Sequence, residues 1–87
     1  MIHVEQGITI TAIYSEIEGL TDWEIKLTGK TGRTSTSENV QMVEVEKASR
    51  RYYLEWVVPA LTKVEYDFEV SANGVLIDKG ILRNELV

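Results

Sequence analysis

Apolar and acidic side chains alternate without a break from Val64 to Val70, and this period of two constrains the fold more than any other feature of the sequence. Valine or an aromatic residue fills every second position, and glutamate or aspartate fills the others. Such a pattern is typical of a β-strand with one face in the core and the other in solvent. Asn73-Gly74 comes soon after and favours a tight turn, because a type I′ turn needs a positive φ at both residues. The sequence therefore predicts a β-hairpin near its carboxyl end.

The same period recurs along the chain and predicts further strands. The first predicted strand covers residues 2–13, with a bulge at Gln6-Gly7, and the second begins at Trp23. The third contains residues 43–46 and begins near Val40, and the fourth covers residues 52–58 and ends at Pro59. A return strand begins at Val75 and has a bulge at Gly80. The polar segment Thr28–Asn39 predicts a mobile loop. No segment longer than a turn has the helical period. The pattern predicts an all-β, immunoglobulin-like β-sandwich of about six to seven short antiparallel strands, with residues 1–87 as a single domain.

Charge and composition exclude several classes of partner. Fourteen acidic and nine basic residues give a net charge of −5, and the one basic pair is Arg50-Arg51. Phosphate backbones and anionic membranes attract clustered basic side chains, so neither nucleic acid nor a membrane is an expected partner. The chain has no cysteine, which excludes disulfides and thiolate chemistry. Residues 1–7 lack the pattern of a signal peptide, so we expect synthesis in a cytoplasm.

Residues that could carry chemistry are few and scattered. His3 is the one histidine and lies near the amino terminus, where we expect an exposed edge-strand position rather than a catalytic triad. The acidic residues of the 64–70 strand are spaced as on any solvated strand face. Glu16, Glu18 and Asp22 place carboxylates in one loop, without the dense ligand pattern of a dedicated calcium site. The sequence predicts no catalytic residue, no metal site and no cofactor.

Short motifs follow one another in an order that resembles a known protein family. In chain order they are Gln6–Ile10, Gly19–Leu27, Pro59–Leu61, Tyr66–Val70, Asn73-Gly74 and Lys79–Leu82. Together they resemble the N-terminal domain of the baseplate upper protein family of tailed bacteriophages. The chain departs from the family where Ile8 replaces an acidic residue and where Val64-Glu65 stands in place of a glycine.

This resemblance implies a structural role in a virion. It implies a small immunoglobulin-like module, made in the host cytoplasm, that attaches host-recognition parts to the particle. The module would belong to a head fibre, the capsid, the tail or the baseplate. Its implied partners are other virion proteins, and the family has no catalytic residues to transfer to this chain.

Outward apolar residues of the predicted strands indicate a contact surface. Tyr53 and Val57 lie on the outward side of the 52–58 strand, and Ile13 lies on the first strand. The predicted interface adds two leucines near the carboxyl end, Leu82 and Leu86. This outer apolar surface is more than a monomer needs, so we expect a protein partner or a homo-oligomer.

Two other functions stay open at this point. A carbohydrate- or ligand-binding accessory module would use an exposed aromatic residue such as Trp23, together with the 31–39 loop. Trp23, Tyr52 and Trp56 occupy inward strand positions, where aromatic side chains are typical of a core. An enzyme or enzyme inhibitor would have only the dispersed carboxylates. Burial of Trp23 and Trp56 would exclude the sugar platform, so their exposure discriminates between these functions.

Overall fold

Eight strands form two sheets that pack face to face. The structure is a computed structural model that describes residues 1–15, 19–31, 33–48 and 50–85, without the side chains of residues 30, 31, 47 and 48. The strands are β1 (Ile2–Val4), β2 (Thr9–Ser15), β3 (Trp23–Thr31), β4 (Thr34–Gln41), β5 (Val43–Ala48), β6 (Arg51–Val57), β7 (Glu65–Ala72) and β8 (Val75–Asn84). The predicted all-β sandwich is confirmed, with eight described strands in place of six to seven.

The strand order is that of an immunoglobulin-like sandwich. The larger sheet has the order β1-β8-β7-β3-β4, and the smaller sheet has the order β2-β6-β5. In the letters of the immunoglobulin fold, the small sheet is B-E-D, and the large sheet is C′-C-F-G with the first strand beside G. Neighbouring strands are antiparallel except β1 and β8, which pair in parallel. The prediction of antiparallel strands alone is therefore wrong at this edge.

The core lies between the two sheets and follows the period of two. Alternate residues of β6 and β7 are buried, as the sequence predicts. These inward side chains meet others from β3 and from the segment after β6. The buried apolar residues are Val4, Trp23, Ile25, Leu27, Met42, Tyr52, Leu54, Trp56, Val58, Leu61, Tyr66, Phe68, Val70, Ala72 and Leu82.

The chain changes sheets at Gln6-Gly7, where the sequence predicts only a bulge. Gly7 has a φ of 84°, a conformation that glycine adopts without steric cost. Its N–H donates to the carbonyl of Val58 at 2.8 Å. As a result β1 pairs with β8 of the large sheet, whereas β2 pairs with β6 of the small sheet. The single long first strand is therefore two strands in different sheets.

Residues 28–31 and 34–39 of the polar segment are paired β-strands and not the predicted loop. β4 pairs with β3 from Gln41 opposite Glu24 to Thr34 opposite Thr31. The side chains of β4 are exposed apart from the partly buried Val40. Both faces of β4 are thus polar, so the apolar period gives no signal, although threonine itself favours strands.

A bulge in β8 fixes the register of the last hairpin. Asn73 and Gly74 both have positive φ, which confirms the predicted turn. The pairing then skips Ile77, since Val70 lies opposite Asp78 while the next pair joins residues 71 and 76. The bulge is therefore at Ile77 and not at Gly80. Gly80 has a different role: a Cβ there would lie 2.8 Å from the ring of Phe68, which packs directly across from it.

The connection from β6 to β7 is fixed by two buried polar side chains. The Oη of Tyr66 accepts hydrogen bonds from the N–H groups of Thr62 at 3.0 Å and Lys63 at 3.1 Å. Asn84 donates from Nδ2 to the carbonyls of Leu61 at 3.4 Å and Lys63 at 3.2 Å. A tyrosine that bonds back to this connection is the tyrosine corner of immunoglobulin-like sandwiches. The corner ties the connection to β7 and β8 of the large sheet.

A tyrosine–carboxylate hydrogen bond joins β2 of the small sheet to β8 of the large sheet. Tyr14 of β2 donates from Oη to Oδ2 of Asp78 on β8 at 2.9 Å. The Tyr14 ring stacks on Trp23, with ring centroids 5.5 Å apart. Burial, followed by the hydrogen bond to Asp78 and its negative charge, raises the pKa of the Tyr14 hydroxyl well above its ordinary value.

We expect Tyr14 to make the fold sensitive to alkali. Because its pKa is higher in the folded than in the unfolded chain, its contribution is complete below about pH 10 and is lost as the pH rises further. Tyr14→Phe should cost about 1 kcal/mol of unfolding free energy near neutral pH. It should also flatten the decline in stability above about pH 10. Urea unfolding at several pH values measures both effects. If the unfolding free energy of the wild type and of Tyr14→Phe declined equally with pH above about pH 10, Tyr14 would not be the source of the alkali sensitivity.

Candidate interaction surface

The outer face of the small sheet gathers three of the five predicted interface residues. Ile13 of β2 lies directly opposite Tyr53 of β6, and Val57 lies four pairs further along, opposite Thr9. Their neighbours in β6 are buried, so alternation directs these three side chains to solvent. Ile13 is 56% exposed, Val57 is 55% exposed, and Tyr53 is half-buried. The predicted outward placement of all three is confirmed.

Val43 extends this face, although it is not among the predicted interface residues. It is 58% exposed and lies opposite Glu55 of β6. β5 is one of the two edge strands of its sheet, and a bulge between Glu44 and Glu46 interrupts its alternation. Ile13, Tyr53, Val57 and Val43 together form an apolar surface, the outer patch.

Glu55 divides the outer patch into two apolar areas. It lies between Tyr53 and Val57 on the outward side of β6, and Thr11 and Val43 lie opposite it on the two neighbouring strands. One area is therefore Ile13 with Tyr53, and the other is Val43 with Val57. A partner that covers the whole patch must accommodate one carboxylate in its middle, either with a basic group or with hydrogen-bond donors.

A groove adjoins the Val57 end of the outer patch. It has a volume of about 440 Å³, and its lining residues are Thr9, Val40, Gln41, Val43, Glu55, Trp56 and Val57. The groove lies where the chain crosses from β4 to β5. Gln41 Nε2 and the N–H of Met42 both donate to the carbonyl of Trp23 at 3.0 Å, which holds this crossover in place. The groove cannot be predicted from the sequence, because β4, which forms part of its lining, is not predicted as a strand.

Leu82, one of the two predicted carboxyl-terminal leucines, does not join this surface. Leu82 is completely buried and lies opposite Tyr66, so the prediction that it faces outward is wrong. The bulge at Ile77 shifts the register of β8 by one residue and so puts Leu82 on the core face. A bulge at Gly80 would give Leu82 the same face, so its outward assignment disagrees with the predicted bulge as well. Leu86 lies outside the residues that the structure describes.

The outer face of the large sheet is different in character, because opposite charges alternate across its strands. Glu69 of β7 lies between Lys26 of β3 and Lys79 of β8. Glu65 lies opposite Arg83. Opposite charges in neighbouring strands suit a solvated face. The acidic residues of β7 are therefore explained by their position, and the small sheet is the better candidate for a protein contact.

The tryptophans are not available as a platform for a sugar. Trp23 is 2% exposed and Trp56 is 4% exposed, and both belong to the core. Tyr52, the third aromatic residue of this group, is completely buried and packs against Trp23 with ring centroids 5.4 Å apart. The 31–39 segment, the other part of the carbohydrate hypothesis, is mostly strand. That hypothesis therefore loses the residues on which it was based.

The remaining candidates for chemistry lie apart from one another. His3 is on the edge strand β1, is largely exposed, and is hydrogen-bonded through Nδ1 to the carboxylate of Glu85. Glu16 and Glu18 lie outside the described residues. Over residues 1–15, 19–31, 33–48 and 50–85, no three histidine or acidic side chains are grouped as metal ligands would be. No helix in the same ranges is long and apolar enough to cross a membrane.

Comparisons with protein-family models, curated proteins and solved structures find no match to this chain. The geometry of the outer patch and the resemblance of the sequence motifs are therefore the basis for a functional hypothesis. Of the residues described, those of the outer patch are the best placed to meet another protein.

Proposed function

We propose that this chain is a non-enzymatic structural protein of a tailed-phage virion that acts through protein–protein contacts. The supporting sequence observation is the series of motifs that resembles the baseplate upper protein N-terminal domain. The observation that carries the proposal is the outer patch, which exposes Ile13, Val43 and Val57 on one face of a small sheet. Scattered apolar residues are ordinary on a surface, but several on one face indicate an interaction site.

The fold suits an assembly role of this kind. Its core is shared by two sheets, and its polar groups at the β6–β7 connection are bonded, so the outer face is held on a rigid support. Rigid presentation reduces the entropy lost when a partner binds. The contacts themselves would be made by side chains of the outer patch, with Glu55 as the polar group that fixes orientation.

Localisation in particles is the direct test of the virion assignment. Antibodies raised against the purified chain should label phage particles from its source culture in negative-stain electron microscopy. The chain should also sediment with these particles after density-gradient purification. Antibody that has been preabsorbed with the chain provides the control. Recovery of the chain from the soluble fraction alone, with unlabelled particles, would contradict the proposal.

A charge in the outer patch should weaken assembly without unfolding the chain. Tyr53→Glu places a carboxylate next to Glu55 and removes an aromatic contact of the kind that dominates interfaces. We expect a loss of about 2 kcal/mol of binding energy, or roughly thirty-fold weaker incorporation into particles. The melting temperature should change little. Val75→Glu is the matched control, because Val75 is 57% exposed and lies at the β7–β8 turn, away from the patch.

Incorporation is measured by supplying each variant during particle assembly and quantifying the amount that sediments with particles. Equal incorporation of Tyr53→Glu and Val75→Glu would contradict a role for the outer patch. Loss of folding in Tyr53→Glu, seen by circular dichroism, would move the test to Val57→Glu, which changes a more exposed residue of the same patch.

A further inference from the structure

The small sheet has an open edge at β2, and we propose that a second copy of this chain pairs with it. The two β2 strands would run antiparallel about a twofold axis and join two small sheets into one continuous sheet. The inference rests on the proposed function, because it specifies one contact through which such an assembly protein acts. Three features of β2 carry it, and they concern its backbone, its composition and its inward side chains.

The first feature is a row of backbone groups that point away from β6. The N–H of Val58 donates to the carbonyl of Ile8 at 3.0 Å. Because hydrogen-bonded and non-bonded pairs alternate in an antiparallel ladder, the even-numbered residues of β2 bond to β6. The odd-numbered residues Thr9, Thr11 and Ile13 therefore direct their N–H and C=O groups to the open edge. In the described part of the chain, no strand lies on that side of β2.

The second feature is that nothing in β2 blocks pairing. Its seven residues include no charge, no proline and no glycine, and its register with β6 has no bulge. Edge strands normally carry such features, because an unprotected edge pairs with other strands. The other edge strands are less suited to pairing with another strand. β1 has three residues, β5 has a bulge and two glutamates, and β4 is almost entirely polar.

The third feature is a set of apolar side chains that the sandwich covers only in part. Ile10, Ala12 and Tyr14 point to the core but are partly exposed. A cavity of about 200 Å³ lies between them and residues of the large sheet such as Phe68 and Asp78. In the immunoglobulin order A-B-E-D, the first strand covers this side of the second. Here the first strand lies beside β8, so that position is open to another strand.

Charge and symmetry favour a second copy as the occupant. The chain has a net charge of −5, yet β2 is neutral, so two copies can meet there without opposed like charges. A twofold axis at Ala12 places Ile10 of one copy opposite Tyr14 of the other, and Thr11 opposite Ile13. Aromatic and β-branched residues are favourable cross-strand pairs. The same surface then serves both copies, as closed twofold symmetry requires.

Replacing Thr11 by proline tests the edge directly. Proline removes the N–H that points to the open edge, and an edge strand tolerates it there because β6 does not use that donor. Light scattering coupled to size-exclusion chromatography, at tens of micromolar chain, should show a dimer for the wild type and a monomer for Thr11→Pro. Thr11→Val keeps the N–H and should remain a dimer. Circular dichroism should show the same fold for all three.

Hydrogen exchange gives a measurement that needs no variant. The amides of Thr9, Thr11 and Ile13 should exchange more slowly as the concentration of wild-type chain rises, whereas the amides of the β4 edge should not change. A wild type that stays monomeric, or a Thr11→Pro variant that stays dimeric, would overturn the inference. So would exchange at β2 that does not depend on concentration.

The experiments test the pairing through β2 and the proposed virion role separately. Tyr53→Glu alters the outer patch but leaves the backbone donors of β2 intact, so it should remain a dimer. A dimer lost in Thr11→Pro, from a chain that never labels particles, would support the edge and contradict the virion role. A dimer lost in Tyr53→Glu and kept in Thr11→Pro would place the self-contact on the outer patch and overturn the pairing through β2.

Discussion

Leu82→Ala should lower the free energy of unfolding by about 2–5 kcal/mol, the range for a leucine truncated in a tightly packed core. Leu82 is completely buried and lies opposite Tyr66 in the large sheet. Few side chains near it can move to fill the space, because its strand is fixed on one side by β7 and on the other by β1. A loss of this size is a large part of the stability of a domain of this length.

The neighbouring residue Ile81 is the matched control for this variant. It is 41% exposed on the outer face of the same strand. Ile81→Ala should therefore cost less than about 1 kcal/mol. Urea unfolding followed by tryptophan fluorescence measures both variants, since Trp23 and Trp56 are buried in the same core. Equal losses for the two variants would show that the bulge does not set the faces of β8 as described.

Tyr66→Phe should lower the free energy of unfolding by about 2 kcal/mol, because its hydroxyl is the acceptor for two backbone donors in the β6–β7 connection. The N–H groups of Thr62 and Lys63 would both lose their partner, and each of these part-buried hydrogen bonds contributes about 1 kcal/mol. The ring would stay in place, because it packs over Gly29, where a Cβ would come within 2.6 Å of it. The loss therefore reports on the hydroxyl and not on packing.

Hydrogen exchange separates this effect from a general loss of stability. In Tyr66→Phe the amides of residues 60–64 should exchange faster than in the wild type even where the sheets remain folded. Tyr53→Phe is the control, since its hydroxyl accepts one exposed hydrogen bond from Arg51 at 3.3 Å and its loss should cost less than about 0.5 kcal/mol. Similar losses in both variants would argue against the tyrosine corner.

The sequence predicts well those strands whose two faces differ in polarity. β6 and β7 each place an apolar residue at every second position, with mostly polar or charged residues between, and the structure buries the apolar set as expected. The same alternation is what places Tyr53 and Val57 outward. β4 has polar residues on both faces, so the apolar period gives no contrast, and its strand depends on pairing with β3. Stabilisation by a neighbouring strand leaves no apolar period in the sequence of the strand itself.

Register is harder to predict than the presence of a strand, and the position of the bulge in β8 is an example. Val75, Leu76 and Ile77 are all apolar, so the sequence does not show which of them the bulge leaves unpaired. One skipped residue before Leu82 puts it in the core whether the bulge is at Ile77 or at Gly80, so the outward prediction for Leu82 disagrees with the predicted bulge itself. The outward position of Val43 has no clear signal in the sequence, because β5 is a bulged edge strand. Sequence alone therefore finds part of the outer patch but neither its boundary nor the groove beside it.

The parallel pairing of β1 with β8 has a mechanical consequence. Residues 2–4 lie beside residues 82–84 and point in the same direction, and the N–H of Glu85 donates to the carbonyl of Val4 at 2.9 Å. A tension applied between the two ends of this pair pulls the strands past one another along their length. All the hydrogen bonds between them then bear the load together and in shear, instead of opening one after another. Resistance to such a force depends on the unfolding rate rather than on equilibrium stability, so these few residues would set how much tension the domain can transmit before it unravels.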